Sequence, residues 1–210
     1  MDKIDNLFKI DLENESRPRR PIWRGVFDFT LEIVKMSLIS LIIVLPVRYF
    51  LIQPFYVKGA SMEPNFYDHE YLIIDEITYR FRSPKRGDIV VFKYPKDPSQ
   101  YFIKRVVGLP GETIFIEDGQ VYLKNIHNNE FELLAENYLS PGMETHLPLN
   151  GYSHVFLGDD GYFLLGDNRD QSLDSRVFGP VKKDLIIGRT WLRGWPLTRL
   201  TFFGQIEYEF

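Results

Sequence analysis

The sequence contains no cysteine. That removes disulfide staples, thiol nucleophiles, thiolate zinc sites and iron–sulfur clusters together. It leaves the compartment open, because an exported domain of this size holds together without staples. Positive charge is not in excess either: 25 Lys and Arg against 29 Asp and Glu give a formal net charge of −4. Sequence-independent nucleic-acid binding draws its affinity from many phosphate-neutralising cations, so the composition argues against a nucleic-acid partner. Histidine is scarce, and His69, His127, His146 and His154 stand in polar, loop-like contexts that read as solvated surface. There is no H-E-x-x-H helix and no G-x-x-x-x-G-K-[ST] phosphate loop. The acidic run Asp167–Asp174 fails as a calcium loop, because Arg169 falls where a ligand oxygen is needed. No metal and no cofactor is expected, and catalysis is left to hydroxyls, amines, carboxylates or a histidine.

What is present begins with a long apolar stretch. Met36 to Val57 reads MSLISLIIVLPVRYFLIQPFYV, with Arg48 its only charge. A membrane-spanning helix needs about 20 mostly apolar residues, and an arginine near one end can snorkel to the headgroups. The bland alternative is a buried core helix. A cleavable secretory signal fits less well, because the apolar core starts late and no small-x-small site follows it closely. Arg17, Arg19, Arg20 and Arg24 precede the stretch, with Lys35 closer in, and the positive-inside rule puts that side in the cytoplasm. The expected organisation is a cytoplasmic tail over 1–34, a single-pass transmembrane anchor over 35–53 and an extracytoplasmic domain over 54–210.

The rest of the chain reads as antiparallel β-structure. Strands are predicted at Tyr71–Asp75, Asp88–Tyr94, Tyr101–Val107, Thr113–Glu117, Val121–Lys124, Gly161–Leu165 and Leu185–Leu192. Each is short, β-branched or aromatic, and bounded by turn pairs such as Arg86-Gly87 and Pro110-Gly111. Asp118-Gly119 between two apolar alternations predicts a two-residue hairpin. No segment after residue 60 carries a long helical period, and no repeat is visible. The polar stretch from about 125 to 155 reads as an insertion between strands, outside the core.

Two residues stand in unusual settings. Ser61 lies in VKGASMEP, between a small-residue pair and a proline. Such a turn can expose a hydroxyl, although taken alone it is most simply a turn. It is not a nucleophile elbow, because Glu63 stands where the second glycine should be. Lys104 interrupts the apolar strand YFIKRVVGL, with Phe102 and Val106 as same-face neighbours. It is either at a sheet edge with its head in water or buried and functional. Burial without a carboxylate partner lowers a lysine pKa, and a shift from ~10.4 to ~8 corresponds to roughly 3 kcal/mol. A neutral amine can then take the proton of a serine hydroxyl.

In order along the chain, VKGASMEP, RGDIVVF, YFIKRVVGLPGE and GDNRDQSLDSRVFGPV resemble the sequence boxes of bacterial type I signal peptidases. VRYFLIQPF and IIGRTWLRGWPLTR are similar to that family's membrane-exit and C-terminal segments. The resemblance covers about residues 40–125 and 160–200. It implies a mostly β fold: one transmembrane helix, then an extracytoplasmic, barrel-like antiparallel catalytic domain. It implies a serine endopeptidase that removes signal peptides from secretory preproteins after small residues, at Ala-x-Ala sites, beside the lipid bilayer of the cytoplasmic membrane. Carried over residue by residue, it makes Ser61 the nucleophile and Lys104 the general base. Ser172 would orient the lysine amine, and Asp174 and Arg176 would form a supporting ion pair. Met62, Phe55, Val57, Phe102 and Ile103 would line the substrate pocket. In many relatives a serine two positions before the nucleophile helps bind the oxyanion. Gly59 stands there and has no hydroxyl to donate, so the Ser61 backbone N–H is the expected donor and Gly59 occupies the position of the second. Trp191, Trp195, Phe202 and Phe203 suit the membrane interface, and core packing is an equally good reading for the two tryptophans. Two other readings fit the residues less well: a self-cleaving regulator with the same dyad, and a silent membrane-anchored binding protein.

Overall fold

The computed structural model describes residues 22–46, 52–124, 130–149 and 151–204. The chain divides into two units, Met1–Pro46 and Val47–Phe210. The first contains helix α1, Ile22–Pro46, whose described side chains are all exposed. Asp28, Glu32 and Lys35 charge its first half, and its uncharged part is confined to Met36–Pro46. Among the described residues no helix is long and apolar enough to cross a membrane. The flanking Arg17, Arg19 and Arg20, and Arg48 within the apolar stretch, lie outside the described residues, as does His127. The far end of that stretch, Ile52–Tyr56, is not helical but forms strand β1. Pro54 is compatible with this because β1 lies at a sheet edge.

The second unit is built from two antiparallel sheets. Strands β2 (Tyr71–Asp75), β3 (Ile89–Tyr94), β4 (Asp97–Gly108), β9 (Gly161–Leu165), β10 (Val181–Lys182) and β11 (Ile186–Trp195) join β1 in the order β1-β2-β11-β3-β4-β9-β10. Strand β12 (Thr201–Phe202) adds to β11. Among the described residues the path has β1 and β10 as its ends, and the antiparallel β-architecture expected from the sequence is formed. Two very short helices accompany it, α2 (Thr78–Phe81) and α3 (Ser175–Phe178). The smaller sheet runs β7 (Glu132–Leu133), β6 (Gln120–Lys124), β5 (Thr113–Glu117), β8 (His154–Phe156).

Alternation explains how the layers meet. In β5 and β6, Ile114, Ile116, Val121 and Leu123 are buried while their neighbours face out. Asp118 and Gly119 both take positive φ, 48° and 76°, as the tight hairpin between these strands requires. Strand β9 is buried along its whole length. Its Phe163 and Leu165 pack with Val107 against the smaller sheet. Tyr162 and Leu164 pack on the opposite side with Val90, Val106 and Phe178.

The stretch from 125 to 155 departs from expectation. Its strand β7 and the start of β8 extend the smaller sheet on both sides, and Leu134 and Val155 are buried in the inter-sheet core. Segments of two and three residues are too short to show alternation, which is why the sequence reads as polar filler. Trp191, Trp195 and Phe202 are exposed, whereas Phe203 stacks on buried Phe66 with ring centroids 4.8 Å apart.

Gly108 sits where the two sheets touch. A Cβ there would lie 2.5 Å from Ile114 Cδ1, 2.7 Å from Leu157 Cδ1 and 2.9 Å from Phe163 Cβ. Gly108→Ala is therefore expected to destabilise the domain by about 1–3 kcal/mol through overpacking, read as a lower denaturant midpoint.

Candidate active site

Ser61 lies in a tight turn between β1 and β2, closed by the Glu63 N–H donating to Ala60 O at 3.1 Å and the Phe66 N–H to Met62 O at 2.8 Å. Met62 is 1% exposed and packs with Val57, Leu72, Ile74 and Val91, which roots the turn in the core. Asn168 holds it from the other side. Its backbone N–H donates to Ser61 O at 3.1 Å, and its side-chain amide to Ala60 O at 3.1 Å. The Ser61 N–H has no acceptor among the described residues.

Strand β4 delivers Lys104 to this turn. The side chain is buried, 3% exposed, and Nζ lies 2.7 Å from Ser61 Oγ and 2.8 Å from Ile103 O. Burial disfavours the charged amine and lowers its pKa to about 8, against the upward pull of Asp174 and Asp167. A neutral amine has two N–H donors and one lone pair. The Ile103 carbonyl can only accept, so it takes an N–H and leaves the lone pair free to face the Ser61 hydroxyl. A cavity of ≈ 310 Å³ opens beside the pair, lined by Phe55, Val57, Phe102 and Ile103 among others, together with Gly59, Ser61 and Lys104. Met62, expected in that lining, is instead buried beneath it.

A profile of the family described as "Signal peptidase, peptidase S26" matches residues 30–195. The chain belongs to that family. It is 33% identical over 201 residues to the probable signal peptidase I-2 of Synechocystis sp., covering 93% of this chain and 84% of that one. It is 36% identical to the signal peptidase I of Leptolyngbya laminosa, over 83% of this chain and 84% of that one. It is also 36% identical to the signal peptidase I P of Bacillus subtilis subsp. natto, over 80% and 90% respectively. These relatives identify a bacterial type I signal peptidase, a serine endopeptidase.

In this signal peptidase the segment 166–176 closes the site. Gly166 permits the approach, since a Cβ there would meet Ser172 Oγ at 2.2 Å and Ser61 O at 2.5 Å. Ser172 is thus brought beside the Ser61 turn, but it makes no hydrogen bond to Lys104; its buried Oγ has no partner. Asp174 and Arg176 form a buried bidentate pair, Nε to Oδ1 at 2.8 Å and Nη2 to Oδ2 at 2.9 Å. Asp174 also caps α3 through the Arg176 N–H at 3.2 Å and accepts the Gly166 N–H at 3.1 Å. Gly59, φ +92°, gives its N–H to Asp68 Oδ1 at 2.9 Å, so that donor is not free for an oxyanion. His69, His146 and His154 are exposed, and no group of three or more candidate ligands among the described residues is placed to hold a metal.

Sequence reasoning missed a second buried pair. Arg105 donates to Asp167 from Nε at 2.8 Å and from Nη2 at 2.6 Å. Asp167 also accepts from Asn65 Nδ2 at 2.8 Å, and the Arg105 guanidinium lies 4.0 Å from the Tyr138 ring centre. Consecutive cations in an apolar strand were the available signal: Lys104 and Arg105 point to opposite faces, so each face needs its own solution.

Two outcomes follow from these burials. Between pH about 8 and the ordinary lysine value of 10.5 the unfolded chain holds more protons at residue 104 than the folded one. Stability from this group therefore rises with pH across that window, and the full penalty stands below it. The stability advantage of Lys104→Met over wild type is expected to shrink by about 3 kcal/mol from pH 8 to 10.5 in denaturant titrations. Asp174→Ala strands a buried guanidinium and is expected to cost about 3–5 kcal/mol, read the same way at pH 7.

Proposed function

We propose that this signal peptidase cleaves secretory preproteins by acyl transfer through Ser61 and Lys104, and the observation that carries this reading is the 2.7 Å contact between the buried Lys104 Nζ and Ser61 Oγ. Neutral Lys104 takes the Ser61 hydroxyl proton as Oγ adds to the scissile carbonyl. The oxyanion is met by the unpaired Ser61 N–H. The resulting ammonium returns the proton to the leaving amine, which departs with the mature chain, and the signal peptide remains as an ester on Ser61. Water, deprotonated by the same amine, then adds to the ester, and the ammonium so formed gives its proton to the departing Ser61 Oγ, which restores the serine hydroxyl and releases the signal peptide as a carboxylic acid. Ser172, with its unpartnered buried hydroxyl beside the turn, fits the role of accepting the second amine N–H once the base is neutral.

The cavity walls of Phe55, Val57, Phe102 and Ile103 suit small apolar side chains, which supports cleavage after Ala-x-Ala. An extended substrate has two sheet edges available. One is β1; the other is β4 from Asp97 to Lys104, because β9 pairs only from Arg105 onward. Membrane anchoring is the reading that gives the exposed apolar face of Met36–Leu45 a partner of matching chemistry. The acid-free basic run before it supports a cytoplasmic N-terminus, with the catalytic unit on the extracytoplasmic side of the bilayer.

The test is cleavage of an Ala-x-Ala preprotein in detergent. Wild type is expected to cut after the second alanine, while folded Ser61→Ala and Lys104→Ala lose at least about 10³-fold in kcat. The wild-type rate is expected to rise with pH and level off above about 8, as the amine becomes neutral. Normal turnover by Lys104→Ala would place the base elsewhere.

A further inference from the structure

The turn that carries Ser61 is clamped downstream by Asn168, but its upstream arm begins at Gly59, the most freely rotating residue a chain can have. Gly59 is exposed, has no heavy atom within 4 Å of where a Cβ would stand, and sits at φ +92°. Packing therefore does nothing to fix it. One contact does: its N–H donates to Asp68 Oδ1 at 2.9 Å. Asp68 is in turn held by its neighbour, since Oδ1 also accepts the His69 N–H at 3.1 Å and Oδ2 lies 2.9 Å from His69 Nδ1. The His69 N–H reaches the Val57 carbonyl as well, at 3.1 Å, and the Val57 N–H reaches Glu70 O at 2.9 Å. These bonds carry the β1–β2 pairing past its last register pair and up to Asp68.

We propose that Asp68 is a positioning residue for the cleavage reaction: by binding the Gly59 N–H it fixes the upstream arm of the Ser61 turn, so that Oγ stays on Lys104 and the Ser61 N–H faces the oxyanion. The Gly59 hydrogen bond is also the main influence holding the Asp68 carboxyl below its usual range, as a contact to the ionised form requires. Asp68 touches neither Ser61 nor Lys104 and acts only through the backbone. This role rests on the acyl-transfer reading above.

The experiment compares wild type, Asp68→Ala and Asp68→Asn in two measurements, preprotein cleavage and amide hydrogen exchange at Gly59. Asparagine keeps an acceptor for the Gly59 N–H and removes the charge. Asp68→Ala is expected to lose about ten- to a hundredfold in kcat with KM changed little, because the apolar walls Phe55, Val57, Phe102 and Ile103 keep their places while the nucleophile is misplaced. Asp68→Asn is expected to recover most of that rate. The Gly59 amide is expected to exchange slowly in wild type and Asp68→Asn, and fast in Asp68→Ala. Wild-type kcat in Asp68→Ala, equal losses in both variants, or free exchange at Gly59 in wild type would each overturn the proposal. If wild type cleaves no preprotein, the acyl-transfer reading fails and the positioning role for cleavage is overturned with it; slow Gly59 exchange would then leave Asp68 as a backbone tie alone.

Discussion

The site depends on a lysine amine kept in a dry place without a counter-ion in contact. That condition is hard to arrange, because a buried ammonium would draw any nearby carboxylate to itself and stay charged. Two carboxylates are near enough to pull the Lys104 pKa upward, Asp174 and Asp167. Each is already committed. Asp174 is bound bidentately by Arg176, and Asp167 by Arg105. The two ion pairs thus do more than fasten segment 166–176 to the sheet. They occupy the anions that would otherwise hold the amine in its charged form, and desolvation is left to dominate at residue 104.

The strand period makes this arrangement possible in so small a space. Lys104 and Arg105 are adjacent in sequence, and successive side chains leave a strand on opposite faces. One face takes an amine with no carboxylate in contact, the other a guanidinium bound by Asp167, and the backbone of β4 separates them. Gly166 has the matching role on the opposing segment. Any side chain there would collide with Ser172 and with the Ser61 carbonyl, so the absence of a Cβ sets how closely the two halves of the site approach.

Much of this was legible beforehand, and the reasons for the rest are physical. Short β-branched and aromatic runs between turn pairs located β2, β5, β6 and β9, and Asp118-Gly119 announced its hairpin, because these signals are local. The singularity of Lys104 in an apolar strand and of Ser61 in a small-residue turn pointed to the pair, and the ordered motifs decided it. What sequence could not supply was pairing at a distance. Arg105 with Asp167, Arg169 with Glu136 and the clamp of Asn168 on the Ser61 turn join segments far apart in the chain, with no periodicity to reveal them. The change from helix to edge strand within the apolar stretch was hidden for a different reason. Hydrophobicity alone does not distinguish a buried strand from a helix over so few residues.

A lysine base, as proposed, ties substrate choice to basicity. An imidazole titrates near neutrality in water, and the described histidines are out in solvent; Lys104 moves toward that range chiefly because burial excludes water from its amine. On the proposed reading, Phe102 and Ile103 have two functions, lining the substrate cavity and, as neighbours of Lys104 on β4, helping to keep its amine dry. A polar group in that wall, suited to larger or hydrophilic substrate side chains, would admit water, raise the lysine pKa and remove the neutral amine at physiological pH. Narrow acceptance of small apolar residues is then not an independent refinement of the pocket. It is a condition under which this nucleophile can be activated at all.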